Sequence, residues 1–361
     1  MKSVALTSRR KITRTPADSL LLGKMTRGCR LCVRGAKLVL FVTGICRCGC
    51  FYCPLSEKRR GRDLSYANER PIRIADDIIN EARSFDALGT GITGGDPIIK
   101  FRRVLGYIRY LKGKFGKRHH IHMYCCSELS KAQLQALKRE GLDEIRFHTK
   151  STEPVKSALE IGLYTGVEIP VLPDSYRRIA SFLAKLDKIS CDFVNLNELE
   201  FSDTNSVELR KRGFRVKSRD SAAVGGSQKE AIKILKWAAR NTHLNIHYCP
   251  SSLKDSVQLR NRLKRKVKNV ASPHEAFTND GLLIKGIILD LPAGKLRPVR
   301  SNIIQSYGIP RDLIVINLQK KRIEIHWRVA KKLSEVEPKL KFALVEEYPT
   351  YDRLETTLIP L

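Results

Sequence analysis

Four cysteines lie within one short segment, and three of them have a spacing that suits metal chemistry. The segment reads Cys46-Arg47-Cys48-Gly49-Cys50-Phe51-Tyr52-Cys53 and directly follows the apolar run Leu38 to Val42. Cys46, Cys50 and Cys53 form the pattern C-x3-C-x2-C. Three thiolates on one loop can each bind a different iron of a [4Fe–4S] cube, which leaves the fourth iron free for another ligand. We therefore predict that these three cysteines hold an iron–sulfur cluster.

The remaining cysteine of this loop, Cys48, is too close to its neighbours to bind the same cube, and we predict no role for it. Zinc is the alternative metal. Zinc usually takes four protein ligands from two separated cysteine pairs, whereas this loop offers one compact group. The iron–sulfur interpretation is therefore favoured.

A second motif, Ile92-Thr93-Gly94-Gly95-Asp96-Pro97, follows later in the chain. Together with the stretch from Gly44-Ile45-Cys46 to Cys53-Pro54-Leu55 and with Tyr52, it resembles the radical S-adenosylmethionine (radical SAM) superfamily. The resemblance covers residues 36 to 270 and is greatest to an archaeal-like branch related to the pyruvate formate-lyase activating enzymes. Asp96 stands where these enzymes usually have Glu, which shortens the reach of the carboxylate.

The resemblance implies a [4Fe–4S] cluster and S-adenosylmethionine as cofactors, and an electron donor such as a ferredoxin or flavodoxin as a partner. In this family the open iron chelates S-adenosylmethionine, and one electron cleaves the sulfonium to methionine and a 5′-deoxyadenosyl radical. The radical then abstracts hydrogen from a substrate. The substrate itself is not implied, because relatives act on a protein glycine, on small molecules or on RNA.

Composition predicts an enzyme of the cytoplasm with no membrane partner. The first twenty residues contain several basic residues but no apolar core of signal-peptide length, and Leu38 to Val42 is too short to span a bilayer. Ten cysteines in a chain without an export signal favour a metal or redox role over disulfides.

The net charge of +30, from 67 Lys and Arg against 37 Asp and Glu, attracts polyanions. The excess is densest in the runs Lys58 to Arg62, Arg210 to Arg219 and Arg260 to Lys266. The alternative is a solvated basic surface of the thermophile type, although such surfaces are usually rich in Glu as well. We predict a structured RNA, such as tRNA, as the substrate, approached over the helix Leu253 to Lys268.

Short apolar runs alternate with helical patterns along most of the chain. This alternation predicts the α/β class, with a mainly parallel sheet curled into a partial (β/α) barrel of the radical SAM type. The predicted strands are Lys37 to Thr43, Ala87 to Thr93, His119 to Tyr124, Asp143 to His148, Gly166 to Leu172, Asp192 to Leu199 and Leu244 to Tyr248. The predicted helices between them are Ile74 to Phe85, Pro97 to Leu111, Lys131 to Glu140 and Gln228 to Arg240.

Several of these strands alternate apolar with polar residues. If helices cover the outside of the sheet, the apolar residues face them and the polar residues point into the barrel. The interior should then be lined by His, Arg, Glu and Asn and should hold a polar ligand. The alternative is that each polar side chain is satisfied by its neighbours.

The family draws its S-adenosylmethionine contacts from the ends of these strands. The residues predicted to bind this cofactor are Tyr52, Gly94, Gly95, Asp96, Arg146, His148, Glu168, Asn195 and Asn197. The resemblance places Gly94 and Gly95 beside the methionine ammonium, although Asp96-Pro97 is also an ordinary helix start. His247 and Cys249 are candidate substrate-side residues.

We predict three parts in the chain. Residues 1–35 form a polar N-terminal extension with Cys29 and Cys32, residues 36–270 form the barrel, and residues 280–361 form a small α+β ferredoxin-like domain of order βαββαβ. Cys29 and Cys32 could supply half of a second metal site, with Cys249 or Cys125 and Cys126 as partners, or remain a lone pair of thiols.

Three functions stay open from the sequence. The first is a radical SAM enzyme that modifies RNA, and the second is an activating enzyme that acts on a protein glycine or peptide. The third is a non-catalytic iron–sulfur or zinc protein that binds RNA. The Gly94-Gly95 motif and the polar strand faces favour an enzyme.

Overall fold

The computed structural model describes residues 10–361, so the predicted absence of a signal peptide falls partly outside the described residues. The described chain divides into two compact units. The first unit runs to Arg83 and continues over Ala87–Leu259, and the second contains Ser84–Asp86 and Arg260–Leu361. Among the described residues, no helix is both long enough and apolar enough to cross a membrane.

The first unit is built on one sheet. Its strands are β1 (Ile12–Thr15), β2 (Ser19–Leu22), β3 (Lys37–Phe41), β4 (Tyr66–Ala67), β5 (Arg70–Pro71), β6 (Gly89–Thr93), β7 (His120–Cys125), β8 (Glu144–Phe147), β9 (Tyr164–Val171), β10 (Phe193–Glu198) and β11 (Asn245–Cys249). The order across the sheet is β1-β2-β11-β10-β9-β8-β7-β6-β3-β4-β5. The seven strands from β11 to β3 pair in parallel, and short antiparallel strands flank them on both sides. The sheet is therefore mixed and open.

Helices connect the parallel strands. They are α1 (Arg27–Val33), α2 (Asp76–Arg83), α3 (Phe101–Phe115), α4 (Lys131–Glu140), α5 (Glu153–Glu160), α6 (Tyr176–Lys188), α7 (Ser206–Lys211), α8 (Ser227–Asn241) and α9 (Ser251–Leu253), with a 3-10 helix at Pro97–Lys100 and a π-helix at Lys254–Leu259. In α3, Val104, Ile108 and Leu111 recur every three or four residues and are fully buried. Burying such side chains contributes about 1.5–3 kcal/mol each, which fixes the helix to the sheet.

The α/β class is confirmed, and all seven predicted strands are present with ends shifted by a few residues. The described residues before position 36, predicted as a polar extension, contain the strands β1 and β2 and the helix α1. Strand β2 pairs antiparallel with β11, and the Thr26 side chain caps α1 by accepting from the backbone nitrogen of Cys29 at 3.0 Å. The segment was missed because its elements are short and stabilised by tertiary contacts rather than by periodicity.

The second unit contains its own sheet. Its elements are α10 (Arg260–Val270), β12 (Ala276–Phe277), β13 (Leu283–Leu289), α11 (Leu296–Tyr307), β14 (Ile314–Asn317), β15 (Arg322–Ile325), α12 (Trp327–Val336), β16 (Lys341–Glu347) and β17 (Glu355–Pro360). The strand order is β14-β15-β13-β16-β17, with β12 beside β13. Ile303, Ile323 and Phe342 lie in its apolar core.

Candidate functional site

A polar cavity of about 470 Å³ lies at the carboxyl ends of the parallel strands of the first unit. Each strand from β6 to β11 contributes at or just beyond its end, through Thr93, Tyr124, His148, Pro170, Asn197 and Cys249. The prediction of a polar interior is confirmed: Arg146, Glu168, Asn195 and His247 line this cavity and are each less than one-tenth exposed. Ligands of open α/β sheets bind at this edge, because the strand ends there present loops and side chains.

Arg146 and Glu168 form the centre of the cavity wall. One Arg146 nitrogen, Nη1, donates to Glu168 Oε1 at 2.8 Å. The same carboxylate accepts from the side-chain amides of Asn195 at 2.7 Å and of Asn197 at 2.6 Å. The parallel pairing of β8, β9 and β10 places these side chains next to one another on one face. The structure therefore brings these four predicted residues together, and their side chains form hydrogen bonds with one another.

Arg146 also reaches the N-terminal segment. It donates from Nη2 to Thr26 Oγ1 at 3.1 Å and approaches the Cys29 sulfur at 3.3 Å, and it pairs with the buried carboxylate of Glu144. Burial disfavours the charged guanidinium, but Cys29 and Glu144 outweigh it, so the pKa of Arg146 is raised well above its usual range. Burial likewise opposes ionisation of Glu144, yet Arg146 and His120 hold its pKa at about 2. Arg146 and Glu144 are therefore both charged at neutral pH.

His148 connects the cysteine loop to the strand ends. Its Nε2 lies 2.8 Å from the Tyr52 hydroxyl and 3.7 Å from the Cys50 sulfur, and its Nδ1 lies 3.2 Å from the carbonyl oxygen of Glu168. The hydrogen bond with His148 lowers the pKa of Cys50, and the same bond raises the pKa of His148. The thiolate form that an iron–sulfur cluster requires is therefore favoured at Cys50.

The cysteine loop follows β3 and lies at the same edge of the sheet. The structure groups the sulfurs of Cys46, Cys48 and Cys126 within 4.8 Å of one another, and Cys48 forms a disulfide with Cys126. Cys48, for which we predicted no role, pairs with Cys126 because the loop folds back onto the end of β7. The donor set nevertheless fits a cluster: Cys46, Cys50 and Cys53 are all free, partly or fully exposed thiols of one short loop.

The glycine motif supports the loop by close backbone packing. A Cβ on Gly94 would lie 2.4 Å from the carbonyl oxygen of Thr43, and one on Gly95 would lie 2.5 Å from that of Ile45. Asp96 is 1 % exposed, accepts from Ile98 N at 3.4 Å as a helix cap and accepts from Ser127 N at 3.1 Å. None of these three residues is among those that line the cavity, and the Asp96 carboxylate caps the start of the 3-10 helix.

Cys29 and Cys32 of α1 line the cavity, as does Cys249. Among the described residues they join no group of three ligand atoms within 4.8 Å of one another. Burial is the largest cause that raises the pKa of Cys32 to about 11 and of Cys249 to about 12, which disfavours the thiolates that a metal needs. Cys125 instead donates to the Ser127 carbonyl.

Some cavity residues were missed from the sequence. Glu198 and Glu200 follow the predicted asparagines, and Lys254 and Gln258 come from the π-helix. Lys254 forms an ion pair with Glu200 at the cavity wall. The alternation on β10 groups Glu198 with Val194 and Leu196 rather than with Asn195 and Asn197, so the sequence pattern did not identify Glu198 as a cavity residue. Nothing in the sequence marks the π-helix, a feature that is frequent at functional sites.

The basic runs have local partners. Arg59 stacks on the Tyr66 ring with its Cζ 4.0 Å from the centroid, and Arg212 stacks on Phe51 at 4.3 Å. Arg212 also pairs with Glu208 at 2.6 Å, while Arg265 donates to the Phe85 carbonyl at 2.9 Å. Some of the basic side chains are therefore engaged by partners within the protein. This weakens the prediction of an RNA substrate, which rests on the excess of positive charge.

Two family models match parts of this chain. Residues 40–165 match the family model described as the radical SAM superfamily, and residues 281–361 match one described as a domain of unknown function (DUF8061). A protein of Methanocaldococcus jannaschii, which carries the provisional name glycyl-radical enzyme activating enzyme MJ0021, is 39% identical over 359 residues. The alignment covers 94% of this chain and 93% of that protein.

The chain is also similar, at low TM-scores, to two solved structures. SuiB of Streptococcus suis bound to S-adenosylmethionine is 12% identical with a TM-score of 0.44, over 68% of this chain and 54% of SuiB. A member of the enolase superfamily from Polaromonas sp. JS666 is 11% identical with a TM-score of 0.32, over 58% of this chain and 54% of that protein. The chain thus matches about half the length of each of these two proteins.

Proposed function

The chain belongs to the radical SAM superfamily, and from this premise we propose that it is an activating enzyme that removes a hydrogen atom from a glycine of a partner protein. The observation that carries the proposal is the polar cavity at the strand ends beside the cysteine loop, in a chain similar over 94% of its length to a protein named for this activity. RNA modification remains a sequence-based prediction that neither the site nor the comparisons support.

Cys46, Cys50 and Cys53 would hold the [4Fe–4S] cluster. When bound, the cluster supplies the electron that cleaves S-adenosylmethionine, and a ferredoxin- or flavodoxin-type donor would deliver that electron. Gly94 and Gly95 pack closely against the Thr43 and Ile45 carbonyls at the start of the loop, and the hydrogen bond with His148 lowers the pKa of Cys50. The chain thereby presents three cysteine sulfurs on a loop whose position is fixed by two neighbouring strands.

The cavity network would bind S-adenosylmethionine. The Glu168 carboxylate can accept from hydroxyl or ammonium groups, and its hydrogen bonds from Arg146, Asn195 and Asn197 orient it. The Tyr52–His148 pair adjoins the cluster loop and offers a further polar contact. A cavity walled by strands also limits the access of water to a reactive radical.

His247, Cys249 and Lys254 would meet the substrate. His247 Nε2 is hydrogen-bonded to Ser19 Oγ at 2.8 Å, whereas its Nδ1 is buried without a hydrogen-bond partner. A buried, unpaired ring nitrogen is costly unless a ligand engages it. A peptide backbone offers both a donor and an acceptor for such a group.

For the second unit we propose the ferredoxin-like topology. Its elements β13-α11-β14-β15-α12-β16 and its strand order support this assignment. We likewise keep the division into residues 1–35, 36–270 and 280–361 as a proposal, with the described N-terminal residues counted among those that build the cavity.

The test is anaerobic reconstitution with iron and sulfide, followed by dithionite and S-adenosylmethionine. We expect 5′-deoxyadenosine from the protein alone, and a glycine-centred radical in electron paramagnetic resonance when a glycyl-radical enzyme of the same organism is added. A protein that holds an intact cluster but forms no 5′-deoxyadenosine would refute the proposed enzymatic activity. 5′-Deoxyadenosine without any glycine radical would refute only the proposed substrate.

The ligand set is tested separately by four alanine variants. Cys46→Ala, Cys50→Ala and Cys53→Ala should each lose the visible absorption and the iron of the cluster, because each removes one anchoring thiolate. Cys48→Ala should retain both. The control is Cys191→Ala, whose buried sulfur contacts only backbone carbonyls. Loss of the cluster in Cys48→Ala, or its retention in Cys50→Ala, would show that the Cys46, Cys48 and Cys126 group is the true ligand set.

A further inference from the structure

A second cavity, of about 550 Å³, is lined on one side by arginines of α1 and its C-cap. Arg27, Arg30 and Arg34 follow one another at intervals of three and four residues, which places them on the same helix face. Arg118 closes the cavity from the segment before β7. Arg27 donates from Nη2 to the carbonyl oxygen of Arg118 at 2.8 Å, so the two sides are held together.

The charge of this cavity is unbalanced. None of its lining residues is Asp or Glu, and in residues 10–361 none of the four guanidinium groups lies within 4.0 Å of a carboxylate. On α5, by contrast, Lys156 pairs with Glu153. Four converging like charges repel one another, and a bound anion would relieve that repulsion.

Apart from His119, the rest of the lining is apolar. Leu31, Ala87 and Leu88 belong to it, together with Phe115, whose ring stacks on His119 with centroids 4.8 Å apart. A small inorganic anion would leave these groups unused, and an extended nucleic-acid backbone would need a basic strip rather than a concave pocket. A ligand with several phosphates and a ring system would use both halves of the cavity.

We propose that this cavity binds a nucleoside polyphosphate, with the phosphates held by Arg27, Arg30, Arg34 and Arg118 and the nucleoside against Phe115 and Leu88. Planar guanidinium groups suit phosphate oxygens because they can donate two parallel hydrogen bonds. The volume lies within the range of small-molecule sites, which is about 300–1,000 Å³.

This cavity is separate from the candidate active site. Leu88 and His119 directly precede β6 and β7, so the arginines gather at the amino ends of the strands, whereas the cysteine loop follows the carboxyl end of β3. The two sites share α1, which turns Cys29 and Cys32 towards the active-site cavity and its arginines towards the other.

The test is isothermal titration calorimetry of the full-length, cluster-loaded protein with ATP, inorganic triphosphate or a single-stranded oligoribonucleotide. Saturating S-adenosylmethionine fills the active-site cavity beforehand. The variant is Arg30→Gln/Arg34→Gln. The control, Arg139→Gln/Arg240→Gln, removes the same charge from two exposed arginines on α4 and α8.

We expect the wild type and the control to bind ATP equally, the arginine variant to bind it at least tenfold more weakly, and inorganic triphosphate to bind more weakly than ATP. Equal ATP affinity in both variants, or no ATP binding by the wild type, would overturn the proposal. The proposal would also be overturned if the oligoribonucleotide bound in a way that depends on Arg30 and Arg34 while ATP did not bind. The variants' cluster absorption verifies that they are folded.

Discussion

Replacing Arg146 by leucine should destabilise the first unit more than any exchange of a surface charge. Arg146 is 2 % exposed and is shared by Glu144 and Glu168, which are 0 % and 7 % exposed. Removing the guanidinium leaves two carboxylates in a cavity wall without their cation. Breaking a buried ion pair in this way costs about 3–5 kcal/mol, and His120 beside Glu144 and the amides on Glu168 offset part of the loss.

The two tryptophans of the chain make this loss measurable for one unit at a time. Trp237 lies in α8 of the first unit and Trp327 in α12 of the second. In a Trp327→Phe background, fluorescence during urea unfolding reports the first unit alone. At a slope of about 3 kcal/mol per molar urea, a loss of about 3 kcal/mol lowers the midpoint by about 1 M.

The matched control for this experiment is Arg109→Leu, which removes an arginine that pairs with Glu140 at the surface. We expect no resolvable shift of the midpoint, because an exposed pair is screened by water. The single change Arg146→Leu should also become less harmful as the pH falls, since protonation of Glu144 removes its uncompensated charge. If Arg146→Leu shifts the midpoint no more than Arg109→Leu, the network is not desolvated and our account of the cavity wall is wrong.

Two further predictions concern the glycine motif and the buried histidines. Gly94→Ala should lower the free energy of unfolding by about 2 kcal/mol or more and reduce cluster loading, since its Cβ would meet the Thr43 carbonyl. The control is Gly106→Ala within α3, where a Cβ has open space. This change should raise the free energy of unfolding by up to about 1 kcal/mol. Burial lowers the pKa of His119 and of His247 to about 4, whereas the pKa of histidine in the unfolded chain is about 6.5. Between these two pH values the unfolded chain therefore binds more protons than the folded protein. Stability should therefore fall from about pH 6.5 to pH 4, by at most about 1.4 kcal/mol per pH unit for each histidine, and a denaturation series in which His119→Gln keeps the full slope would contradict this.

The parallel sheet was predictable because its strands carry two signals at once. Apolar residues such as Ile121 and Met123 alternate with polar ones, and helical periodicity separates one strand from the next. The same alternation identified Arg146, Glu168 and Asn195 as inward-facing before any contact was known. Side-chain direction follows from strand geometry alone, so these residues required no knowledge of their partners.

The parts that could not be predicted depend on contacts between distant segments. Strand β2 exists because it pairs with β11, and Cys48 meets Cys126 only because the loop folds over the end of β7. The role of Asp96 was ambiguous for a different reason. Its sequence context fits a helix cap and a ligand contact equally well, and only the bond to Ser127 shows where the carboxylate is directed.

The N-terminal segment is a structural part of the active-site cavity rather than an appendage to it. Thr26 and Cys29 contact Arg146, which in turn holds Glu168, so the position of α1 affects the residue that we propose for cofactor binding. Ser19 similarly fixes His247 through the hydrogen bond to its Nε2 and leaves Nδ1 free for a substrate. Any ligand that shifts α1 would therefore act on the cavity through two hydrogen-bonded side chains. The arginine-lined cavity on the opposite side of α1 offers a place where such a ligand could bind.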